Sequence, residues 1–419
     1  MTLSRPPEPQ GYLLFGPTPK FPDVPHAEWK ARIDKVKRLM RAQQIDLLML
    51  WSRQNCRYFT GFTSIHWHVP SIQPLVALIP VEGDPVVITG EFFRLTVEAQ
   101  TWVRDIRGQA DCHTTHAERE LPKEVAATAR EMGFAKANIA LEMGELGHMW
   151  IPRPLNDIQT LIRELPQARF VDGDKVIWGC RMVKSPLEIE RLTKAAAIHR
   201  QGVATVIEEY RPGMTEEDVG KILWRCWGQN GADRMLSGHI MCGSDKEGML
   251  DTGFHFDGVT INRGDYLSLD LIMSSKGYWA DMGRVINVGP APDHFERATD
   301  TLWRVWDAGF RAARPGVKAK ELWMATKKAY DEAGLPAVEM TGHGIGLDVH
   351  EPPVLSATEE IVLEPGMTLA LETGILSGLR ILGGEGGGHV ENLVIITETG
   401  ASAVMGIPRS IRCTSFPAR

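Results

Sequence analysis

Four acidic residues occupy positions where a charge is hard to keep: Asp270 in LSLDLIM, Asp281 in GYWADMG, Glu372 in TLALETG and Glu391 in GGHVENLVIIT. Each lies in or beside an apolar, strand-like run, where burying an unpaired carboxylate is heavily penalised. Asp281 follows Asp270 by eleven residues, and Ser274-Ser275-Lys276-Gly277 between them reads as a hairpin turn that sets the two on adjacent strands. One such acid alone is better read as a salt-bridge partner or an edge residue facing water. Four together would repel one another and drive their pKa values up unless a cation held them. A pair of divalent metal ions resolves the conflict. A carboxylate-rich set suits Mn²⁺ first, with Co²⁺, Fe²⁺ or Zn²⁺ as alternatives. One histidine often joins such a set, and His343 in TGHGIGLDVHEPP (341–353) is the candidate. His350, seven residues on, stands farther along the same loop, where it can contact a substrate. Glycines 342, 344 and 346 are expected to let the backbone approach a metal or substrate closely. Neither this loop nor GGEGGGH (383–389) reads as a phosphate loop, and the latter reads as a flexible turn before Glu391.

The elements that must position these residues fall into two blocks. Glu28 to Ile45 carries Ile33, Val36, Leu39 and Met40 at helical spacing. Apolar runs at 46–50, 75–80, 85–90, 139–143 and 169–173 read as strands, with helices near 122–132 and 155–164. That alternation predicts an α/β N-terminal domain over 1–180. Ser185-Pro186-Leu187-Glu188 is then a strong helix start, with a capping serine, proline at the first helical position and glutamate three residues after the cap. The remainder, 181–419, repeats itself. RPG recurs at 211–213 and 314–316, offset by 103, with a helical segment after each. GDYLSLD (264–270) is answered by GMTLALE (366–372), offset by 102, with an acid six residues after each glycine. Two matches in the same order at nearly one offset predict a duplicated α+β half, with Asp270 and Glu372 near a pseudo-two-fold axis.

Bulk properties narrow the partners. The chain has 419 residues, 43% hydrophobic and 24% charged, with a net charge of −7. An acidic balance argues against nucleic acid, since phosphate binding wants a basic surface. No apolar run approaches the roughly 20 residues of a membrane span, and MTLSRPPEPQ lacks the apolar core of a signal peptide. The six cysteines show no CxxC pair and read as reduced thiols. The expectation is a cytoplasmic protein with a small-molecule or short-peptide substrate, no nucleic-acid partner and no membrane contact.

These residues resemble the creatinase, prolidase and methionine aminopeptidase superfamily, in its Xaa-Pro peptidase branch. HGIGLDVHEPP is similar to that family's histidine signature, RYFTGF (57–62) to its N-terminal domain, and RMVKSPLEIERLTKAA (181–196) to its inter-domain helix start. The resemblance implies a pita-bread catalytic domain behind an α/β creatinase-like N-terminal domain. It further implies that Asp270, Asp281, His343, Glu372 and Glu391 bind two divalent ions. Asp281 and Glu391 would bridge them, Asp270 would bind one, and His343 and Glu372 the other. A substrate-contacting histidine upstream is also implied, with His255 in TGFHFDG preferred over His239 in SGHIMCG. Three departures alter the surroundings of the metals. Gly283 and Val285 replace the usual threonines after the second aspartate, Glu372-Thr373-Gly374 replaces Glu-Pro-Gly, and His389 replaces the arginine two residues before the last glutamate.

The implied reaction is amide hydrolysis by a metal-bridging hydroxide, with Glu372 taking the proton and His255 and His350 as donors or orienters. The family also contains enzymes acting on small non-peptide substrates, such as ectoine hydrolase, creatinase and a dimethylsulfoniopropionate lyase. A binding module without catalysis would be expected to have lost ligands, and all five are present. The family's dimers imply a homodimer here, in which His66-Trp67-His68 would shape a pocket. A plain surface or interface aromatic cluster is the simpler reading of those three residues.

Overall fold

The computed structural model describes residues 19–68, 72–109, 115–146, 155–211, 213–236, 239–244, 248–249, 259–289, 293–375, 388–404, 406–407, 409 and 411–413. It divides into two compact units, Met1–Arg181 and Met182–Arg419.

In the first unit the predicted apolar runs become the strands Leu47–Leu50, Leu75–Pro80, Val86–Gly90, Asn138–Leu141 and Arg169–Asp172. A further strand, Asp105–Gln109, lies at the sheet edge. Its sequence DIRGQ holds a single apolar residue, so no hydrophobic pattern announces it. The six strands form one mixed sheet, antiparallel between Leu47–Leu50 and Leu75–Pro80 and between Leu75–Pro80 and Val86–Gly90, and parallel elsewhere. The helix His26–Ala42 buries Ile33, Val36 and Met40, while Leu39 is only half-buried. RYFTGF ends a short helix, Arg53–Thr60, that closes on Gly61 in the left-handed conformation at φ 76°. Beyond it, His66 packs edge-on to Phe93 at 5.1 Å and Trp67 lies 5.1 Å from Phe62. Both therefore belong to an aromatic cluster, with Ile65, Phe92 and Leu95 exposed beside it.

The helix start predicted at Ser185 forms in the second unit. The Ser185 side chain accepts from the Glu188 backbone N–H, the Glu188 side chain accepts from the Ser185 N–H, and the helix runs Pro186–Glu209. The repeat is visible in the backbone. Two helices, Pro186–Glu209 and Glu216–Gln229, precede the first sheet, and Asp293–Ala312 and Ala319–Glu332 precede the second. Gly213 and Gly316 both take left-handed conformations, at φ 92° and 84°, in the turn joining each helix pair. The isolated bridges Thr215–Thr260 and Lys318–Val362 recur at the same spacing as the sequence repeat. Each sheet is backed by its own helices. Leu267, Leu269, Leu271 and Met273 join the first core with Val203 and Leu223, while Leu369, Leu371, Val390 and Val394 join the second with Trp306 and Leu322. Strand side chains alternate in direction. The acids at 270, 281, 372 and 391 therefore all point away from their helices, into the space where the two sheets face each other.

Behind Asp270, His199 on the helix Pro186–Glu209 is wholly buried, and its Nε2–H donates to the Leu271 carbonyl at 2.9 Å. Burial holds its pKa down to about 3, with the nearby Arg284 charge adding to the effect and the Leu271 bond opposing it. The imidazole is thus neutral in the folded protein, whereas the unfolded chain takes up a proton below about pH 6.5. The stability this neutral histidine contributes is present above pH 6.5 and is lost as the pH falls towards 3. Urea unfolding should therefore show wild type losing about 2 kcal/mol more than His199→Gln between pH 7.5 and 5. Parallel pH profiles for the two proteins would contradict the assignment.

Candidate metal centre

Asp270 lies on the strand Tyr266–Ser275 and Asp281 on Tyr278–Val288, joined by a two-residue turn in which Lys276 and Gly277 take positive φ of 51° and 74°. The register pairs Asp270 with Gly283 and Ile272 with Asp281, so both aspartates share one face, offset along the hairpin. Glu372 on Thr368–Ile375 is directly opposite Glu391 on Gly388–Ile396. His343 ends the strand Met340–Gly344 and pairs with Ala370. These five residues converge. The His343 Nε2 atom lies 3.9 Å from Asp281 Oδ2 and 3.9 Å from Glu372 Oε1. Its Nδ1–H donates to the Gly344 carbonyl at 2.9 Å, which leaves Nε2 as the free electron pair facing the acids. Two groups bring three ligand atoms within 4.8 Å of one another: Asp281, His343 and Glu391, and Asp270, His389 and Glu391. Atoms bonded to one ion at about 2.1 Å stand about 3 to 4.2 Å apart, so these separations suit a cation at each position.

The electrostatics fit the same reading. Burial, together with the charges of Asp270 and Glu372, pushes Asp281 well above the usual carboxylate range. Burial and the charges of Asp281, Glu372 and Asp270 do the same to Glu391. Asp281 Oδ1 and both carboxylate oxygens of Glu391 are buried with no hydrogen-bond donor among the described residues. Asp270 and Glu372 sit nearer the opening, with side chains 25% and 21% exposed. Burial would raise Glu372 as well, but its bond to His389 and the charges of the neighbouring histidines outweigh that and lower it. The buried cation beside the cluster, Arg284, is committed elsewhere. It donates to the Gly283 and Glu391 carbonyls at 2.6 Å each and to Asn392 Oδ1 at 2.6 Å. Buried carboxylate oxygens without protein donors are what divalent ions bind.

His389, noted in the sequence only as a departure beside the metals, is itself a member of the site. Its Nε2–H donates to Glu372 Oε2 at 2.9 Å, and its Nδ1 faces Asp270 Oδ2 at 3.7 Å. Burial alone would lower its pKa, but the carboxylates of Asp270, Glu372 and Asp281 raise it to about 9. Its spacing also points to the site, two residues before Glu391 on the same strand face. His350 is exposed, with its ring 4.2 Å from that of His343. His255 lies outside the described residues, and His239 is described by its backbone, paired with Asp270.

The glycines of the histidine loop lie close against the protein itself. A Cβ at Gly342 would lie 2.2 Å from the Ala370 carbonyl oxygen, one at Gly344 2.3 Å from the Pro352 oxygen, and one at Gly346 2.7 Å from the Glu351 carboxylate. These glycines admit neighbouring backbone and a buried acid. The loop is also tied to the first sheet, because the Trp279 backbone N–H and its Nε1–H donate to the Gly346 and Leu347 carbonyls at 2.9 and 3.0 Å.

Comparison with known proteins places this architecture. The sequence pattern of metallopeptidase family M24 matches residues 190–398, and that of the creatinase/prolidase N-terminal domain matches 32–183. The Xaa-Pro dipeptidase of Pyrococcus furiosus is 31% identical over 388 residues, covering 91% of this chain and 99% of that protein. The chain belongs to metallopeptidase family M24. With the family come the pita-bread fold, the class of metal-dependent hydrolases and the divalent ions that the acid cluster fits. Within M24, the "Probable dipeptidase PepE" of Mycobacterium tuberculosis is 34% identical over 239 residues, which is 56% of this chain and 62% of that relative, so the match spans less than two thirds of its length. The ectoine hydrolase of Halomonas elongata is 25% identical over 407 residues, covering 92% and 96% of the two chains. In fold, the Xaa-Pro dipeptidase structure from Bacillus anthracis superposes with a TM-score of 0.75 at 23% identity, covering 92% of this chain and 99% of that one. Among the described residues, no helix is long and apolar enough to cross a membrane.

Proposed function

We propose that this M24 chain is a dinuclear-metal hydrolase of the Xaa-Pro dipeptidase or aminopeptidase type. One observation carries the reading: four carboxylates and His343 meet at a buried point where three carboxylate oxygens have no protein donor among the described residues. Asp270, Asp281, His343, Glu372 and Glu391 would hold the two ions, with Asp281 and Glu391 the most deeply buried of the four carboxylates. Manganese is the first choice, with cobalt, iron or zinc as alternatives. Bound there, the ions would lower the pKa of a shared water towards about 7, supply hydroxide at neutral pH and polarise the amide carbonyl.

The chain's own residues do the rest. Glu372 is kept ionised at the open side of the cluster, so it can take a proton from water and deliver it to the leaving nitrogen. His350 stands exposed beside His343, where it can donate to the carbonyl oxygen or orient the substrate. His255 is assigned the same kind of role from the upstream side. Removing one such donor would lower kcat by about 10²–10³-fold. A cytoplasmic homodimer is part of this reading, supported by the exposed Ile65, Phe92 and Leu95 around the His66–Trp67 cluster.

A second reading, a hydrolase or lyase acting on a small non-peptide molecule, is favoured by the changes closest to the acids. Gly283 and His389 both lie against Asp270, and the likeness to an ectoine hydrolase runs nearly end to end. Metal analysis of the purified protein, followed by assay on Gly-Pro and other Xaa-Pro dipeptides with added Mn²⁺, separates the two. Bound metal with dipeptide cleavage supports the peptidase. Bound metal without cleavage moves the assignment to the small-molecule class. Protein that binds no divalent ion under any loading condition would sink both.

A further inference from the structure

Two of the departures near the acids are one structural feature. His389 and Gly283 lie on different strands of different halves, yet a Cβ placed on Gly283 would stand 2.6 Å from His389 Nδ1 and 3.1 Å from its Cγ and Cε1. No side chain at 283 is compatible with the ring where it sits. On its other flank His389 is paired with Gly374, where a Cβ would make only ordinary contact with the ring at 3.6 Å. The imidazole thus occupies a slot between two glycines, aimed at the acids.

Its two nitrogens are differently engaged. Nε2 is fixed by Glu372 Oε2 at 2.9 Å, and a carboxylate accepts only, so the proton of the neutral ring sits on Nε2. Nδ1 is buried without a hydrogen-bond partner among the described residues and faces Asp270 Oδ2 at 3.7 Å. A carboxylate that orients a histidine through one nitrogen while the other is left for a metal is a recurring arrangement in metal sites. The cluster of Asp270, His389 and Glu391 is complete without His343, just as that of Asp281, His343 and Glu391 is complete without His389.

We propose that His389 is a sixth metal ligand, binding through Nδ1 the ion held by Asp270 and Glu391, and that the missing side chain at Gly283 makes the room that admits it. This rests on the two-ion reading above and deepens it: each ion position receives one imidazole. A second imidazole also moves the site's preference from manganese towards cobalt, iron and zinc, which nitrogen donors suit better.

Titration of metal-stripped full-length protein with Co²⁺, followed by calorimetry and X-ray absorption, tests the assignment without reference to turnover. Wild type should bind two ions, with imidazole scattering at both. His389→Ala should keep one affinity and weaken the other by about 10–100-fold, with the imidazole signal halved. Gly283→Ala should reproduce the weakening by displacing the ring, and it serves as the second variant if one of the two folds poorly. Two Co²⁺ affinities within twofold of wild type in the His389→Ala protein would overturn the proposal. So would lost activity with both affinities intact, because His389 would then be a positioning residue acting through Glu372. Wild type that binds fewer than two ions would overturn the two-ion reading itself, an outcome distinct from failure of the variants alone.

Discussion

Glu391→Gln should abolish hydrolysis, lowering kcat/KM by more than about 10³-fold, or about 4 kcal/mol of transition-state stabilisation. Glutamine keeps the shape of the side chain but removes the charge and replaces one acceptor oxygen with an amide donor. Glu391 is the residue common to both ligand groups, and both of its oxygens are buried without a protein donor among the described residues. No other acid in the cluster combines those properties, so its loss withdraws a ligand from both ion positions at once. The measurement pairs steady-state kinetics on an Xaa-Pro dipeptide with the metal content of the same preparation. Activity within tenfold of wild type together with unchanged metal content would show that Glu391 bridges nothing.

Lys184→Met should destabilise the catalytic unit by about 3–5 kcal/mol, with a fall in Tm of roughly 6–20 °C. Lys184 Nζ lies 2.9 Å from Glu351 Oε2, with both side chains almost fully buried. Glu351 ends the histidine loop, where its other oxygen accepts from the Asp348 N–H at 3.2 Å. Lys184 precedes the capping box of the first catalytic helix, and its backbone N–H donates to the Gly366 carbonyl at 2.9 Å. One ion pair therefore joins the start of the first half to the loop that carries His343 in the second. Methionine fills similar volume but leaves a buried carboxylate uncompensated, which is the expensive half of breaking such a pair. The double variant Lys184→Met, Glu351→Leu should recover part of the loss, since it removes the stranded charge. Thermal and urea unfolding decide the matter, and a loss below about 1 kcal/mol for the single variant would mean that water reaches the pair.

Much of the fold and of the site is legible in the amino-acid sequence. Asp270, Asp281, Glu372 and Glu391 are conspicuous because acids in apolar strands are physically improbable without a partner. The hairpin at Lys276-Gly277 and the capping box at Ser185 are local, and local chemistry survives into the fold because the interacting atoms are only a few residues apart. The duplication is legible because both halves retain the same turn glycines, Gly213 and Gly316, at positive φ. The packing around the histidine-loop glycines is not legible, for the complementary reason. Their constraint comes from Ala370, Pro352 and Glu351, and sequence spacing says nothing about which backbone will lie against a missing Cβ.

The available chemistry can be read along the chain: an acid-rich, metal-demanding cluster, one histidine beside it, and two similar halves to carry it. Charge, hydrophobic period and turn residues are properties of short segments, so they can be read in one dimension. It takes the folded chain to show that Glu391 serves both ligand groups, that His389 turns one nitrogen to Glu372 and the other to Asp270, and that Gly283 makes room for it. The approach of Glu391 and His389 to Asp270, and of His389 to Gly283, joins side chains more than one hundred residues apart across two sheets, which no local pattern encodes.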